Sequence, residues 1–520
     1  MFIMLQIQVP SLPLFTSLVI LVTLIICWKR FKSLTVRAPI LRLPPGPWKL
    51  PLIGNLHNLT GSLRHSLRDL AKKHGPIMHL KLGQVSAIVI SSPELAKQVL
   101  KTHETAAFSQ RPTVLAVEVL FYNFSGIIFS SCNEYWRQMR KICVLELLSA
   151  KRVQSFSSIR EEEAWNLVES ISLSQGQPIT LSEMIFSMQV SIIARSALGK
   201  KCKYQQEFGS LIKEAFILGE VLSLPDLFPS LKFLRHITRT KPALEKIHRK
   251  IDRILDEIID DHHELKRVKT NIVAPSTTSN DEVLQEGLVH VLLQLQESGG
   301  LQFDLTTNHI KAVILDMYLA GAETSATTTE WAISELVKNP TAMEKAQAEV
   351  RHLLAGKRKN ILEEDIKKLD YLKLVIKETL RLHPPAPLIP REATQRIKIG
   401  GYDIPTEAKV LINAWEIGRD PRHWDNADCF LPERFQGSSI DFRGTNFELI
   451  PFGAGKRICP GISFGIASVE LALSQLLYYF NWKLPSGKKV EELDMTESLG
   501  MTSRRRNDLY VIATPFVPSY

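Results

Sequence analysis

The chain has 520 residues, 45% of them hydrophobic and 23% charged, a balance that fits a packed globular protein and excludes collagen-like, intrinsically disordered and disulfide-scaffold classes. Lys and Arg number 64 against 54 Asp and Glu, and the net charge of +10 points to a basic face turned toward a membrane surface or an acidic partner, not to nucleic acid. The six cysteines are scattered, with no CxxC pair and no closely spaced histidine, which excludes a zinc ribbon and speaks for a reducing compartment.

Residues 12–28 carry no charge and are rich in Leu, Ile and Val. As a helix this run spans about 26 Å, just short of a hydrocarbon core of roughly 30 Å. No basic residue precedes it, no small-x-small cleavage site directly follows it, and Lys29, Arg30, Lys32, Arg37 and Arg42 come after it. The pattern predicts a retained membrane anchor over 1–30, with the bulk of the chain facing the cytosol, in preference to a cleaved signal peptide. The sequons at Asn58 and Asn123 should then stay silent. Residues 31–50, basic and then proline-rich through Pro44-Pro45-Gly46-Pro47, read as a stiff hinge before one large domain over 51–520.

No repeat of 20–50 residues is present, and most periodic segments are helical. Strand-like stretches are short and lie near 77–82, 87–91, 396–399 and 409–414. A Ser/Thr-rich stretch over 270–281 reads as a surface loop. Thr306 or Thr307 caps a helix that continues to Asn339-Pro340; at about 33 residues it would reach near 50 Å, enough to cross a domain. A further helix is expected from about 364 to 382, stopped before Pro384-Pro385. The fold class is mainly α with small β-sheets.

The strongest local signal is Pro451-Phe452-Gly453-Ala454-Gly455-Lys456-Arg457-Ile458-Cys459-Pro460-Gly461. A phosphate-loop reading fails, because that motif needs Gly at Ile450 and Ser or Thr at Arg457. The segment reads instead as a glycine-softened loop that delivers one cysteine to the start of a helix running from 462 to 480. A helix N-terminus and Arg457 would both favour thiolate. On the long helix, Gly321 removes a side chain, and Thr324 can bond back to the carbonyl four residues earlier and open a notch.

These segments resemble the cytochrome P-450 family. The cysteine segment looks like its haem-binding loop. Ala320-Gly321-Ala322-Glu323-Thr324 is similar to its oxygen-activating motif, and Glu378-Thr379-Leu380-Arg381 to its Glu-x-x-Arg. Pro432-Glu433-Arg434-Phe435 and Trp136-Arg137-Gln138-Met139-Arg140 follow the same pattern. The resemblance covers roughly residues 40–520, and Leu382-His383-Pro384-Pro385 is similar to the plant A-type microsomal group.

The resemblance implies haem b (iron protoporphyrin IX), with Cys459 as axial iron ligand inside a loop that includes Phe452, Gly453 and Gly461. It assigns the haem propionates to Trp136, Arg140, Arg391 and Arg457, which agrees with the need for cations beside carboxylates. Thr324 with Glu323 would relay protons to O2, while Glu378, Arg381 and Arg434 would form a buried structural cluster. Substrate contacts are implied in 111–129, 315–322, 386–389 and 499–501. The residues singled out there are Leu115 and Val117; Leu319, Ala320 and Ala322; Ala386, Leu388 and Ile389; Leu499 and Met501. Such an apolar set suits a lipophilic substrate.

No dinucleotide or flavin fingerprint is present, so electrons would come from a partner, NADPH–cytochrome P-450 reductase, steered by Arg137, Arg140, Lys141 and Lys456. The expected protein is an endoplasmic-reticulum monooxygenase that hydroxylates or epoxidises a plant metabolite, with terpenoids, diterpenes included, ahead of phenolic, indolic or alkaloid substrates. A reductase-independent haem-thiolate isomerase or dehydratase and a non-catalytic haem carrier are the rival classes.

Overall fold

Runs rich in Val and Ile set the strands. The computed structural model describes residues 41–199, 204–219, 223–271, 287–356, 361–500 and 502–516, together with Thr16, Ser17 and Thr23. Most of the expected anchor, residues 272–281 of the expected loop, and Met501 lie outside the described residues. The chain divides into two compact units, Met1–Leu43 and Pro44–Tyr520, and the elements below belong to the second. Residues 44–50, the end of the hinge expected over 31–50, pack into that unit, and residues 31–40 of that hinge lie outside the described residues. The His79 amide donates to the Pro45 carbonyl at 2.8 Å, and Asn55 Nδ2 donates to the Pro47 and Trp48 carbonyls at 3.1 and 2.9 Å.

β1 (Ile77–Leu82) and β2 (Val85–Ile90) form an antiparallel hairpin with Ile77 opposite Ile90. The remaining strands are β3 (Pro178–Thr180), β4 (Leu388–Glu392), β5 (Ile397–Ile399), β6 (Tyr402–Ile404), β7 (Lys409–Asn413), β8 (Phe480–Lys483) and β9 (Tyr510–Pro515). They make three sheets, ordered β1-β2-β7-β4, β3-β9-β8 and β5-β6. In the first, β7 runs parallel to β2 and antiparallel to β4. β3, β4, β6, β8 and β9 were not expected, because segments of three to six residues carry too little alternation to be read alone.

The main helices are α1 (Leu63–His74), α2 (Glu134–Cys143), α3 (Ser157–Ser172), α4 (Leu181–Leu198), α5 (Thr240–Asn271), α6 (Thr307–Lys338), α7 (Asp370–Leu382) and α8 (Ile462–Tyr479). α6 is the axis of the core, packed on α4, α7 and α8. Its start is a capping box: Thr306 Oγ1 accepts the His309 amide at 3.4 Å, and His309 Nδ1 accepts the Thr306 amide at 3.1 Å. The expected helix over 364–382 is instead two pieces, Glu363–Ile366 and α7, with Lys367 to Leu369 between them. α8 is long and apolar enough to cross a membrane, yet most of its side chains between Phe464 and Tyr478 are buried in this core.

One buried polar cluster joins distant parts of the fold. The His383 ring stacks on Trp331 at 3.9 Å between centroids and faces Glu335 Oε1 at 2.7 Å and Glu497 Oε1 at 3.1 Å. Arg64 Nε donates to Glu497 Oε2 at 2.6 Å, and Trp415 Nε1 donates to Glu497 Oε1 at 3.1 Å. Burial alone would raise the Glu497 carboxyl, but its hydrogen bond to His383 and the charges of His383, Arg64 and Arg419 outweigh this and hold it at about 2.

Removing that carboxylate takes its ion-pair partner from the buried Arg64, so Glu497→Gln should lower stability at pH 7 by about 3 kcal/mol, read from the denaturation midpoint. The folded value lies below the ordinary 4.5. The wild-type advantage is therefore full above that pH and shrinks as pH falls toward about 2.

Candidate functional site

The cysteine loop is held by its own backbone and by one acid. Gly453 and Gly455 adopt φ of +72° and +74°, the left-handed region that side chains disfavour. The Cys459 amide donates to the Phe452 carbonyl at 2.9 Å, which closes the loop. Glu104, almost fully buried, accepts the Lys456 amide at 2.7 Å and the Arg457 amide at 3.3 Å. A methyl on Gly455 would run into the Leu100 carbonyl and the Glu104 carboxylate, whereas a methyl on Gly453 would meet nothing within 4 Å.

Cys459 is a free thiol on the wall of a cavity of about 290 Å³. Burial pushes this thiol up, against the pull of the Gly461 amide and of the Arg140 and Arg111 charges. The expected thiolate-favouring role of Arg457 is corrected: its guanidinium turns away to the Ser109, Ile128 and Ser130 carbonyls. The helix terminus does contribute, since the Gly461 amide that lowers the thiol sits at the N-cap of α8.

The cavity lies between this loop, the α6 face, the end of α2 and the β4 strand. Fourteen of the residues singled out in the sequence line it: Trp136 and Arg140; Ala320, Gly321 and Thr324; Ala386, Leu388, Ile389 and Arg391; Phe452, Gly453, Arg457, Cys459 and Gly461. Leu115, Val117, Leu319 and Ala322 are buried in the hydrophobic core and do not line it. Glu323 is buried beside Thr324 but also off the wall, and Leu499 is largely exposed.

Glu378, Arg381 and Arg434 meet away from the cavity. Arg381 Nε and Nη2 each reach a Glu378 oxygen at 2.7 Å, and Arg434 Nε donates to Glu378 Oε1 at 2.9 Å. Arg381 also donates to the Gly418, Ala427 and Cys429 carbonyls, so this buried pair has nearly all its hydrogen-bonding capacity filled.

Four guanidinium groups converge on the cavity. Arg140 donates to the Ile458 carbonyl, and the Trp136 ring lies 5.4 Å from the Arg140 guanidinium and 4.8 Å from that of Arg457. The Trp136 indole N–H is already used, donating to the Ile127 carbonyl at 2.9 Å. Arg391 is fully buried, and its Nε and Nη2 have no hydrogen-bond partner among the described residues; nor has Arg111 Nε. Burial, with the like charge of Arg111, lowers Arg391 to about 9; burial, with Arg457, lowers Arg111 to about 10.

On α6, Asp316, Ala320, Thr324 and Thr328 follow one another at four-residue spacing and all line the cavity. Thr324 Oγ1 donates to the Ala320 carbonyl at 2.5 Å. The space beside Gly321 is partly filled: a methyl there would lie 2.5 Å from Ile193 Cδ1 of α4, so this glycine admits the neighbouring helix as well as widening the cavity. Burial pushes Asp316 up to about 7, against its hydrogen bonds to the Ile128 and Ile127 amides and the charge of Arg111.

Arg111, Asp316, Ile127, Ile128 and Ile193 were not singled out in the sequence. All but Ile193 fall within the stretches 111–129 and 315–322 implied there, and Asp316 also lies at the i−8 position from Thr324.

The two glycines give a stability contrast. Gly455→Ala should cost at least about 2 kcal/mol, from strain and overpacking together, and Gly453→Ala about 1 kcal/mol from strain alone. Thermal unfolding of the two variants checks this; equal losses would deny the close approach of Glu104.

A family model described as Cytochrome P450 matches residues 44–509. Melianol synthase CYP71BQ17 of Ailanthus altissima is 54% identical, over 98% of this chain and 96% of its own length. Premnaspirodiene oxygenase of Hyoscyamus muticus is 52% identical over 92% and 94%, and desmethyl-deoxy-podophyllotoxin synthase of Sinopodophyllum hexandrum 50% identical over 97% and 97%. The family match takes in the cysteine loop, α6 and the cation-lined wall in one continuous stretch, and similarity to these plant enzymes extends over nearly the whole chain. The chain therefore belongs to the cytochrome P450 family and is a P450 monooxygenase of plant specialised metabolism.

Proposed function

We propose that this enzyme is anchored in the endoplasmic reticulum membrane, faces the cytosol, and hydroxylates or epoxidises a terpenoid with O2 and electrons from NADPH–cytochrome P-450 reductase. The observation that carries the reading is the mainly apolar cavity with the Cys459 thiol on one wall and Thr324 on the α6 face. Two relatives named for melianol and premnaspirodiene support the substrate class. The uncharged run over 12–28 and the basic residues after it support the anchor. Exposed Arg137, Lys141 and Lys456 support docking of an acidic reductase.

The donor set fits haem b. The N–H groups of Arg391 and Arg111 that lack a partner among the described residues suit two buried carboxylates, and Cys459 would supply the one sulfur ligand. Trp136, its indole N–H committed to Ile127, would act by packing between Arg140 and Arg457. When bound, the haem would supply dioxygen activation, favoured by electron density from the Cys459 sulfur that would hold it. Thr324 would hold and pass a proton at Oγ1 by giving up its bond to the Ala320 carbonyl, with Glu323 behind it in the helix. The apolar wall would orient the substrate and keep bulk water out.

Cys459→Ser should abolish the thiolate-type carbon-monoxide Soret band of the folded protein. Thr324→Ala should keep that band while a larger share of the NADPH consumed ends as hydrogen peroxide; full coupling to product would remove the relay role. Microsomes carrying this protein and a plant reductase, fed premnaspirodiene and other terpene hydrocarbons beside phenolic and indolic compounds, test the substrate class. NADPH-dependent oxygenated terpenes are expected. Oxidation of the aromatic set alone would keep the mechanism and overturn the terpenoid choice, and turnover without NADPH would replace the monooxygenase.

A further inference from the structure

The stretch from Phe121 to Ile128 crosses the cavity wall in an unusual conformation. Tyr122, Asn123 and Phe124 have φ of +46°, +55° and +63°, three successive non-glycine residues in the left-handed region. Each is held there at a cost in free energy, so contacts elsewhere must fix the segment. At its outer end, Tyr122 Oη donates to Asp252 Oδ1 of α5 at 2.8 Å, and Lys311 of α6 donates to the same oxygen at 2.7 Å. At its inner end, the Ile127 and Ile128 amides both donate to Asp316 Oδ2, the latter at 3.1 Å.

Gly126 lies so close to that carboxylate that a methyl group there would overlap it. Asp316 is fully buried, and its other oxygen has no hydrogen-bond partner among the described residues. Ile127 and Ile128 both line the cavity.

We propose that Asp316 is a positioning residue that decides which ligands the cavity admits, by pinning the 121–128 strap to α6 and so fixing how far Ile127 and Ile128 intrude. A carboxylate that accepts two adjacent amides sets the backbone register there, because one shared acceptor leaves neither peptide free to rotate. The side chains of both isoleucines, which line the cavity, then narrow it by a fixed amount. The inference rests on the reading of this cavity as the haem and substrate site.

The test uses the full-length, haem-loaded protein and two probes, imidazole and clotrimazole, whose dissociation constants are read from the Soret shift. Asp316→Ala should lower the clotrimazole-to-imidazole ratio by at least about fivefold, the scale of losing one such hydrogen-bonded tether, because the bulky azole gains room and imidazole does not. Tyr122→Phe, which frees the outer end and leaves the cavity wall intact, should lower it in the same direction, and it decides the matter if Asp316→Ala does not fold. Asp316→Asn keeps an oxygen acceptor for both amides and should return the ratio toward the wild-type value.

An unchanged or raised ratio in Tyr122→Phe and in any folded Asp316→Ala overturns the proposal. So does an Asp316→Asn protein no closer to wild type than Asp316→Ala. If imidazole gives no Soret shift in the wild-type protein, the haem assignment fails, and the inference falls with it.

Discussion

Burying several like charges around one cavity is the constraint on which this structure turns. Arg111, Arg140, Arg391 and Arg457 all line the same space, and two of them keep N–H groups without acceptors among the described residues. A buried guanidinium left in that state is costly, so the arrangement makes sense only if an anion completes it. The protein meets part of the demand itself. Arg140 and Arg457 spend donors on backbone carbonyls, and Glu104 places a negative charge behind the cysteine loop. On the proposed reading, the remaining donors of Arg391 and Arg111 would meet the two carboxylates of haem.

That electrostatic frame also explains the tightness of the cysteine loop. A short loop can present a thiol to a flat ligand only if its backbone lies close to its supports. Gly455 provides this by removing the Cβ that would strike Glu104 and Leu100. Gly453 needs only its left-handed φ, with open space around it. Two glycines two residues apart thus carry different burdens, one conformational and one both conformational and steric.

Across the cavity, α6 combines rigidity with chemistry. It is buried along most of its length, fixed at its start by a capping box and tied near its end through Glu335 to the His383 and Glu497 cluster. A helix held in this way can keep Asp316, Ala320 and Thr324 in register on one face, whereas residues on loops would drift. The strap over 121–128 borrows that rigidity through Asp316. A strained backbone persists there because the helices on either side hold both of its ends.

The sequence by itself determined the mainly helical class, the long helix between Thr306 and Asn339, the first strand and the glycine-softened loop that carries Cys459. Each of these rests on local information: a cap, a proline, a run of β-branched residues, or glycines spaced around one thiol. It also carried the i, i+3 spacing of Glu378 and Arg381, whose burial reflects the carbonyls of Gly418, Ala427 and Cys429. Tertiary structure alone decided which apolar residues face the cavity. Leu319 and Ala322 sit in the same helical stretch as Ala320, yet helical rotation turns them into the core. It alone brought Arg111 beside Arg391, through the bridge between Gln110 and Glu392, and aimed Asp316 at two amides nearly 190 residues earlier in the chain. Charge and burial at those positions depend on neighbours from other segments, and no local pattern encodes a neighbour that arrives only when the chain folds.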